Sequence, residues 1–166
     1  MAVSIEAFRM PRYGELPDVG LYLDQTIKYI NRVLAPLGCM EITPSMVSNY
    51  VKKGYIPSPV HKQYDAPQLA RLLFIAIAKN VLSMERIMQL FALKESQYSD
   101  EVAYNYFCSE LENILRFIFG VTPTLEVIGS MQSEEKEILR SVIVAVANVI
   151  YINDRLQELS AAQPDA

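Results

Sequence analysis

A chain of 166 residues, half of them hydrophobic and a fifth charged, can fill one core and is too apolar for a disordered segment. No basic start with a following apolar run opens it, and the longest apolar stretch, Val142 to Ile152, contains Asn148 and is too short for a bilayer; a signal peptide and a membrane span are not expected. The net charge of −4 is unevenly placed: Thr43 to Lys94 carries seven bases (Lys52, Lys53, Lys62, Arg71, Lys79, Arg86, Lys94) against two acids (Asp65, Glu85), a local +5 that leaves −9 elsewhere and fits a polyanion site inside an acidic chain.

Residues 1–17, ending in Pro11, Arg12, Tyr13 and Pro17, read as an irregular arm. Asp18 is a candidate N-cap for a helix over about Val19 to Leu37, where Leu23, Ile27, Ile30, Leu34 and Leu37 form one apolar stripe and Gly38 closes it. Thr43-Pro44 is the clearest start signal, because the threonine oxygen can accept a free amide and proline loses no hydrogen bond at the first helical position. Gly54 ends this helix. Met46, Val47, Tyr50 and Val51 fall on one side of it, and Ser45, Ser48, Asn49, Lys52 and Lys53 within an arc of about 140° on the other, without a single acid.

Pro57 and Pro59 forbid a long helix over Tyr55 to Tyr64, and the alternation through Val60-His61-Lys62-Gln63 suggests a short two-stranded wing at 58–64. Ala66 to Asn80 is apolar on nearly every side and therefore central, and Ser83 caps a helix carrying Met84, Ile87, Met88 and Phe91. Beyond a polar break, Asp100 to Phe119 is amphipathic, Thr122-Pro123 opens a short helix ending near Gly129, and Ser133 with Glu134 and Glu135 starts the last long helix, followed by a polar tail. Asn148, midway along that helix, reads equally as a satisfied core amide or as a register device between paired helices.

The order helix, turn, ten-residue helix with a polar outer face, proline-bounded turn and two further helices is that of a winged helix-turn-helix. The major groove admits one helix whose outward groups donate and accept without net negative charge. Ser45, Ser48 and Asn49 meet that requirement, with Asn49 able to pair with an adenine edge. Lys52, Lys53 and Lys62 suit phosphates, and His61 and Gln63 reach backbone from the wing.

Val47-Ser48-Asn49-Tyr50-Val51-Lys52-Lys53-Gly54-Tyr55-Ile56-Pro57 resembles the MerR stretch that ends in Gly, Leu, a hydrophobic residue and Pro, and Val81-Leu82-Ser83-Met84 through Ile87 resembles that family's later Gly-Phe-Ser-Leu segment. Ser48 and Asn49 depart from it, standing where MerR regulators usually place Arg-Tyr, and the wing is shorter. Pro11-Arg12, Leu16-Pro17-Asp18, Leu21-Tyr22, Asp24-Gln25 and Ile42-Thr43-Pro44-Ser45-Met46 also resemble a family of small bacterial proteins of unknown function. The MerR resemblance implies double-stranded DNA as partner.

The expectation is a mainly all-α chain: an arm (1–17), a MerR-like winged helix-turn-helix (18–94), a C-terminal helical region for homodimerisation or an effector (95–160), and a tail (161–166). It describes a cytoplasmic transcription regulator with no cofactor. Cys39 and Cys108 lie in no metal-ligand spacing and read as reduced packed thiols, and no phosphate loop or nucleophile motif argues for an enzyme. Two alternatives stand beside it. One is a protein–protein adaptor, favoured if helix 44–53 is covered by the C-terminal region. The other is a small-molecule sensor with its pocket among Tyr104, Tyr106, Phe117 and Tyr151.

Overall fold

The computed structural model describes residues 2–38, 41–129 and 132–163, so Cys39 lies outside the described residues. Among them are seven α-helices: α1 (Ala2–Ala7), α2 (Leu23–Leu34), α3 (Pro44–Lys52), α4 (Ala66–Ala78), α5 (Met84–Glu95), α6 (Asp100–Ile118) and α7 (Glu134–Ala161). Two 3-10 turns, Tyr13–Glu15 and Ala35–Leu37, complete the regular structure, and the described residues contain no strand. The mainly helical class is therefore as expected.

Burial concentrates on α4. Its apolar residues leave no side suited to water, and from Gln68 to Ala78 every residue except Arg71 is buried. Transfer of a Leu, Ile or Phe side chain out of water is worth about 1.5–3 kcal/mol, so the six such residues here dominate the choice of position. Helices α2, α5, α6 and α7 pack around α4, and one hydrophobic cluster runs from Ile5 to Ile150, so segments 18–94 and 95–160 share a core.

Helix starts follow their serines. Ser83, Ser99 and Ser133 each accept an amide N–H three residues on, from Arg86, Val102 and Lys136 at 3.2–3.3 Å. Stops follow glycine: Gly38, Gly54 and Gly120 have φ of +84°, +72° and +74°.

Four expectations need correction. The arm is not irregular throughout, because it opens with α1 and places Ile5, Phe8, Met10 and Leu16 in the core. Asp18 caps nothing. The second helix begins only at Leu23, where the Tyr22 N–H donates to Gln25 Oε1 (2.9 Å), because Leu21 is held extended by paired backbone bonds with Tyr64. The proposed two-stranded wing is a single antiparallel bridge, Val60 to Gln63, without a strand on either side. Thr122-Pro123 starts no helix; Asn113 grips Glu126 through both its N–H (3.2 Å) and its carbonyl (2.8 Å), which consumes groups a helix would use. The last helix runs to Ala161, at the expected start of the tail, since Arg155 to Ser160 contains no breaker and Arg155 pairs with Glu158 one turn on.

Helix α7 carries two apolar stripes. Leu139, Ile143, Val146 and Ile150 face the core, chiefly α6. Ile138, Val142, Ala145, Val149, Ile152, Leu156 and Leu159 recur at four-three spacing on another side, and Ile152, Leu156 and Leu159 are 52%, 58% and 56% exposed. Every residue from Arg155 to Ala161 is exposed, so the end of α7 stands clear of the body.

Candidate nucleic-acid interface

Helix α3 is held from both ends. Thr43 Oγ1 accepts from Met46 N (3.2 Å), with Pro44 at the first turn. At the other end Gly54 turns left-handed so that Tyr55 N reaches Tyr50 O (2.8 Å). Val47 and Tyr50 are buried and Met46 and Val51 half-buried, packing α3 on α2. That leaves Ser45, Ser48, Asn49, Lys52 and Lys53 exposed together.

Three side chains to which sequence reading gave no positioning role fix where α3 sits. Asn31 on α2 donates to Ile42 O (3.0 Å) and accepts from Ile42 N (2.8 Å), pinning the segment just before Thr43. Gln68 on α4, buried, accepts from Asp65 N (2.8 Å) and donates to Pro57 O (3.2 Å) and Ser58 O (3.0 Å). Arg71 on α4 reaches Tyr55 O (3.4 Å) while pairing with Glu95 of α5. These side chains satisfy backbone groups that a loop would otherwise leave to water.

The bridge beside α3 is a two-residue reverse turn. Val60 N and Gln63 N each donate to the other's carbonyl, and His61 and Lys62 both carry positive φ, +51° and +62°. Such primed turns favour Asn and Gly, so His and Lys here hold strained backbone. The turn is moored by Tyr64 to Leu21, and Gly20 permits the approach: a Cβ there would lie 2.7 Å from Gln63 Cβ. His61 and Lys62 are exposed. Gln63 is half-buried against Gly20, less free than expected.

Electrostatics separate the basic residues of this segment. Arg71 pairs with Glu95, Lys94 with Asp100, and Lys79, whose pKa is lowered by burial, donates to Glu41 O (3.2 Å). Lys52, Lys53 and Lys62 have no carboxylate partner among the described residues, and all three are exposed around α3 and the turn.

The C-terminal residues divide differently from the expected pocket. A cavity of about 370 Å³ lies between α4, α5, α6 and the start of α7, with Tyr104 and Tyr106 in its wall. Phe117 and Tyr151 are not part of it. Phe117 is eleven residues past Tyr106, about 16 Å along the helix, and is exposed, while Tyr151 packs edge-on against Phe119 at 5.3 Å. Asn148 is no core amide: it is exposed, and its Nδ2 donates to Val144 O (2.9 Å) within its own helix. Cys108 is buried and free, and burial pushes its thiol up to about 12. It sits where the arm docks on α6: Tyr104 donates to Pro11 O (2.7 Å), Asn105 accepts from Tyr13 N (2.8 Å) and Arg12 pairs with the buried Glu112 at 2.5 Å.

No curated protein and no solved structure matches the chain. A family described only as a domain of unknown function, DUF1836, matches residues 11–107, from the docking arm to the middle of α6. That span holds α2 to α5, the reverse turn and every exposed lysine named above, and it covers more than half of the chain. The protein therefore belongs to the DUF1836 family.

Proposed function

We propose that this protein is a bacterial, cytoplasmic transcription regulator that binds double-stranded DNA through a MerR-like helix-turn-helix whose wing is reduced to the two-residue turn at His61-Lys62. Helix α3 lies in the major groove. Ser45, Ser48 and Asn49 face base edges, Lys52 and Lys53 face phosphates, and His61 and Lys62 touch backbone from the turn, with Gln63 at its margin. The observation that carries the reading is the exposed outer face of α3, which has hydroxyls, an amide and unpaired ammonium groups and no acid. A groove-binding surface needs those groups, whereas an apolar partner gains nothing from them.

The protein acts as a homodimer. The outer stripe of α7 supports this, since a four-three apolar repeat is the spacing that two helices bury against each other. With about four phosphate contacts per subunit, a DNA titration should give a log–log salt slope near −7. Selection from a random DNA pool followed by that titration tests the reading. Enrichment of a motif with a steep slope is expected; no enrichment and a flat salt response would overturn it and favour the adaptor, although no described segment covers α3.

A second reading, that the same protein senses a small molecule, is favoured by the cavity. Its size and apolar wall suit a bound ligand.

A further inference from the structure

The cavity wall is built from Phe74 of α4, Leu90 and Phe91 of α5, Tyr104 and Phe107 of α6 and Leu139 of α7. Charge is confined to a few groups, and most are already matched. Arg71 lies over the Phe91 ring (4.6 Å) and pairs with Glu95; Lys94 pairs with Asp100; Glu135 accepts from Gln97 Nε2 (2.9 Å). Lys136 differs. Its ammonium stands 5.0 Å from the centre of the Tyr106 ring and has no carboxylate partner among the described residues. Gly129, with φ of +85°, leaves room for it: a Cβ at that position would lie 2.7 Å from Lys136 Nζ.

Glu135 in the same wall meets only the neutral Gln97 amide, and the Lys136 charge reaches the buried Glu110 carboxyl. Lys136 is nevertheless the one cation of the wall in no ion pair among the described residues, and an apolar chamber with such a group is complementary to an apolar body carrying one negative charge. We propose that this cavity binds a small apolar carboxylic acid, its body among Phe74, Phe91, Phe107 and Leu139 and its carboxylate on Lys136. The inference deepens the sensor reading and rests on it. Arg71 gives the cavity a route to α3, because the same guanidinium that lines the wall donates to Tyr55 O, at the point where α3 is closed off.

The test uses the full chain without DNA, decanoate as probe and decan-1-ol as its uncharged counterpart, followed through labelled leucine methyls by NMR. Decanoate should perturb Leu90 and Leu139 saturably, and decan-1-ol should bind at least about tenfold more weakly, as expected for loss of a charge-assisted hydrogen bond. Lys136→Met, which keeps the apolar stem, should lose a similar factor, and Lys136→Arg should restore binding to within about threefold, with unchanged thermal melting of both variants marking intact folding. Equal binding of acid and alcohol, or an unaffected Lys136→Met, would overturn the acid specificity while leaving the cavity a ligand site. No perturbation at Leu90 and Leu139, or perturbation confined to Leu156 and Leu159, would overturn both the inference and the sensor reading. Neither result bears on α3.

Discussion

Helix α3 and the last turns of α7 both leave a face to solvent, but with opposite chemistry. What α3 exposes is already content in water: two serines, an asparagine and lysines with no carboxylate partner among the described residues. What α7 exposes is not, since Ile152, Leu156 and Leu159 each keep more than half their surface wet. Helix α3 lies within the region that matches the family, and α7 lies beyond it. The difference teaches that exposure alone does not define a partner. A hydrated polar face gains free energy only from a partner that replaces its hydrogen bonds and counterions, whereas an apolar face gains it from any surface that excludes water.

The largest expected effect comes from breaking the apolar side. Ile152→Asp combined with Leu156→Asp should weaken self-association by more than about a hundredfold, because each copy would lose two side chains that the proposed dimer buries, worth about 1.5–3 kcal/mol apiece. Sedimentation velocity reads this directly, and a wild-type monomer at micromolar concentration would remove the contrast altogether.

Next come the two kinds of polar contact on α3. Asn49→Ala should cost about 1–3 kcal/mol on the selected sequence and little on random DNA. Lys52→Glu should weaken binding to both and make the salt slope shallower by about two for a dimer. Competition titrations against both DNAs separate them; equal losses would mean that α3 does not divide base reading from phosphate binding.

A smaller effect sharpens the role of the reverse turn. Replacing His61-Lys62 by Asn-Gly suits the positive φ at both positions and should raise stability by about 1 kcal/mol in urea unfolding. The same change should weaken DNA binding, since Lys62 is lost. A stabilised protein with undiminished DNA affinity would show that the turn is structural only.

The smallest lies at the α6–α7 contact. Glu110 is buried beside Arg140 (3.1 Å), and burial raises its pKa despite that neighbour. A carboxyl whose folded pKa exceeds its unfolded value holds its proton longer in the folded state, so its contribution to stability falls as pH rises from the unfolded pKa through the raised one. Glu110→Gln should flatten that part of the stability–pH curve, followed by urea unfolding at successive pH values.

Much of this was legible in sequence because its causes are local. Thr43-Pro44, Ser83 and Ser133 cap helices through atoms three residues away, and the acid-free face of α3 follows from 100° of turn per residue. Asn31, Gln68, Arg71 and Asn113 were not legible. Each grips a backbone group 10 to 16 residues away, and nothing about an asparagine or an arginine in a string says which carbonyl it will find. The second helix shortened for the same reason, since Leu21 found Tyr64 across the chain rather than a helical partner.

Sequence by itself determined the helical class, most helix starts and stops, the buried central α4 and the polar character of α3, all consequences of side-chain chemistry read against a helical period. Only the tertiary structure decided which cations stay unpaired among the described residues, that Lys136 rather than Phe117 or Tyr151 belongs to the cavity, and that the second apolar stripe of α7 leaves Ile152, Leu156 and Leu159 outside. The physical reason is that pairing and burial depend on distances between residues remote in the chain, and those distances exist only once the core has closed.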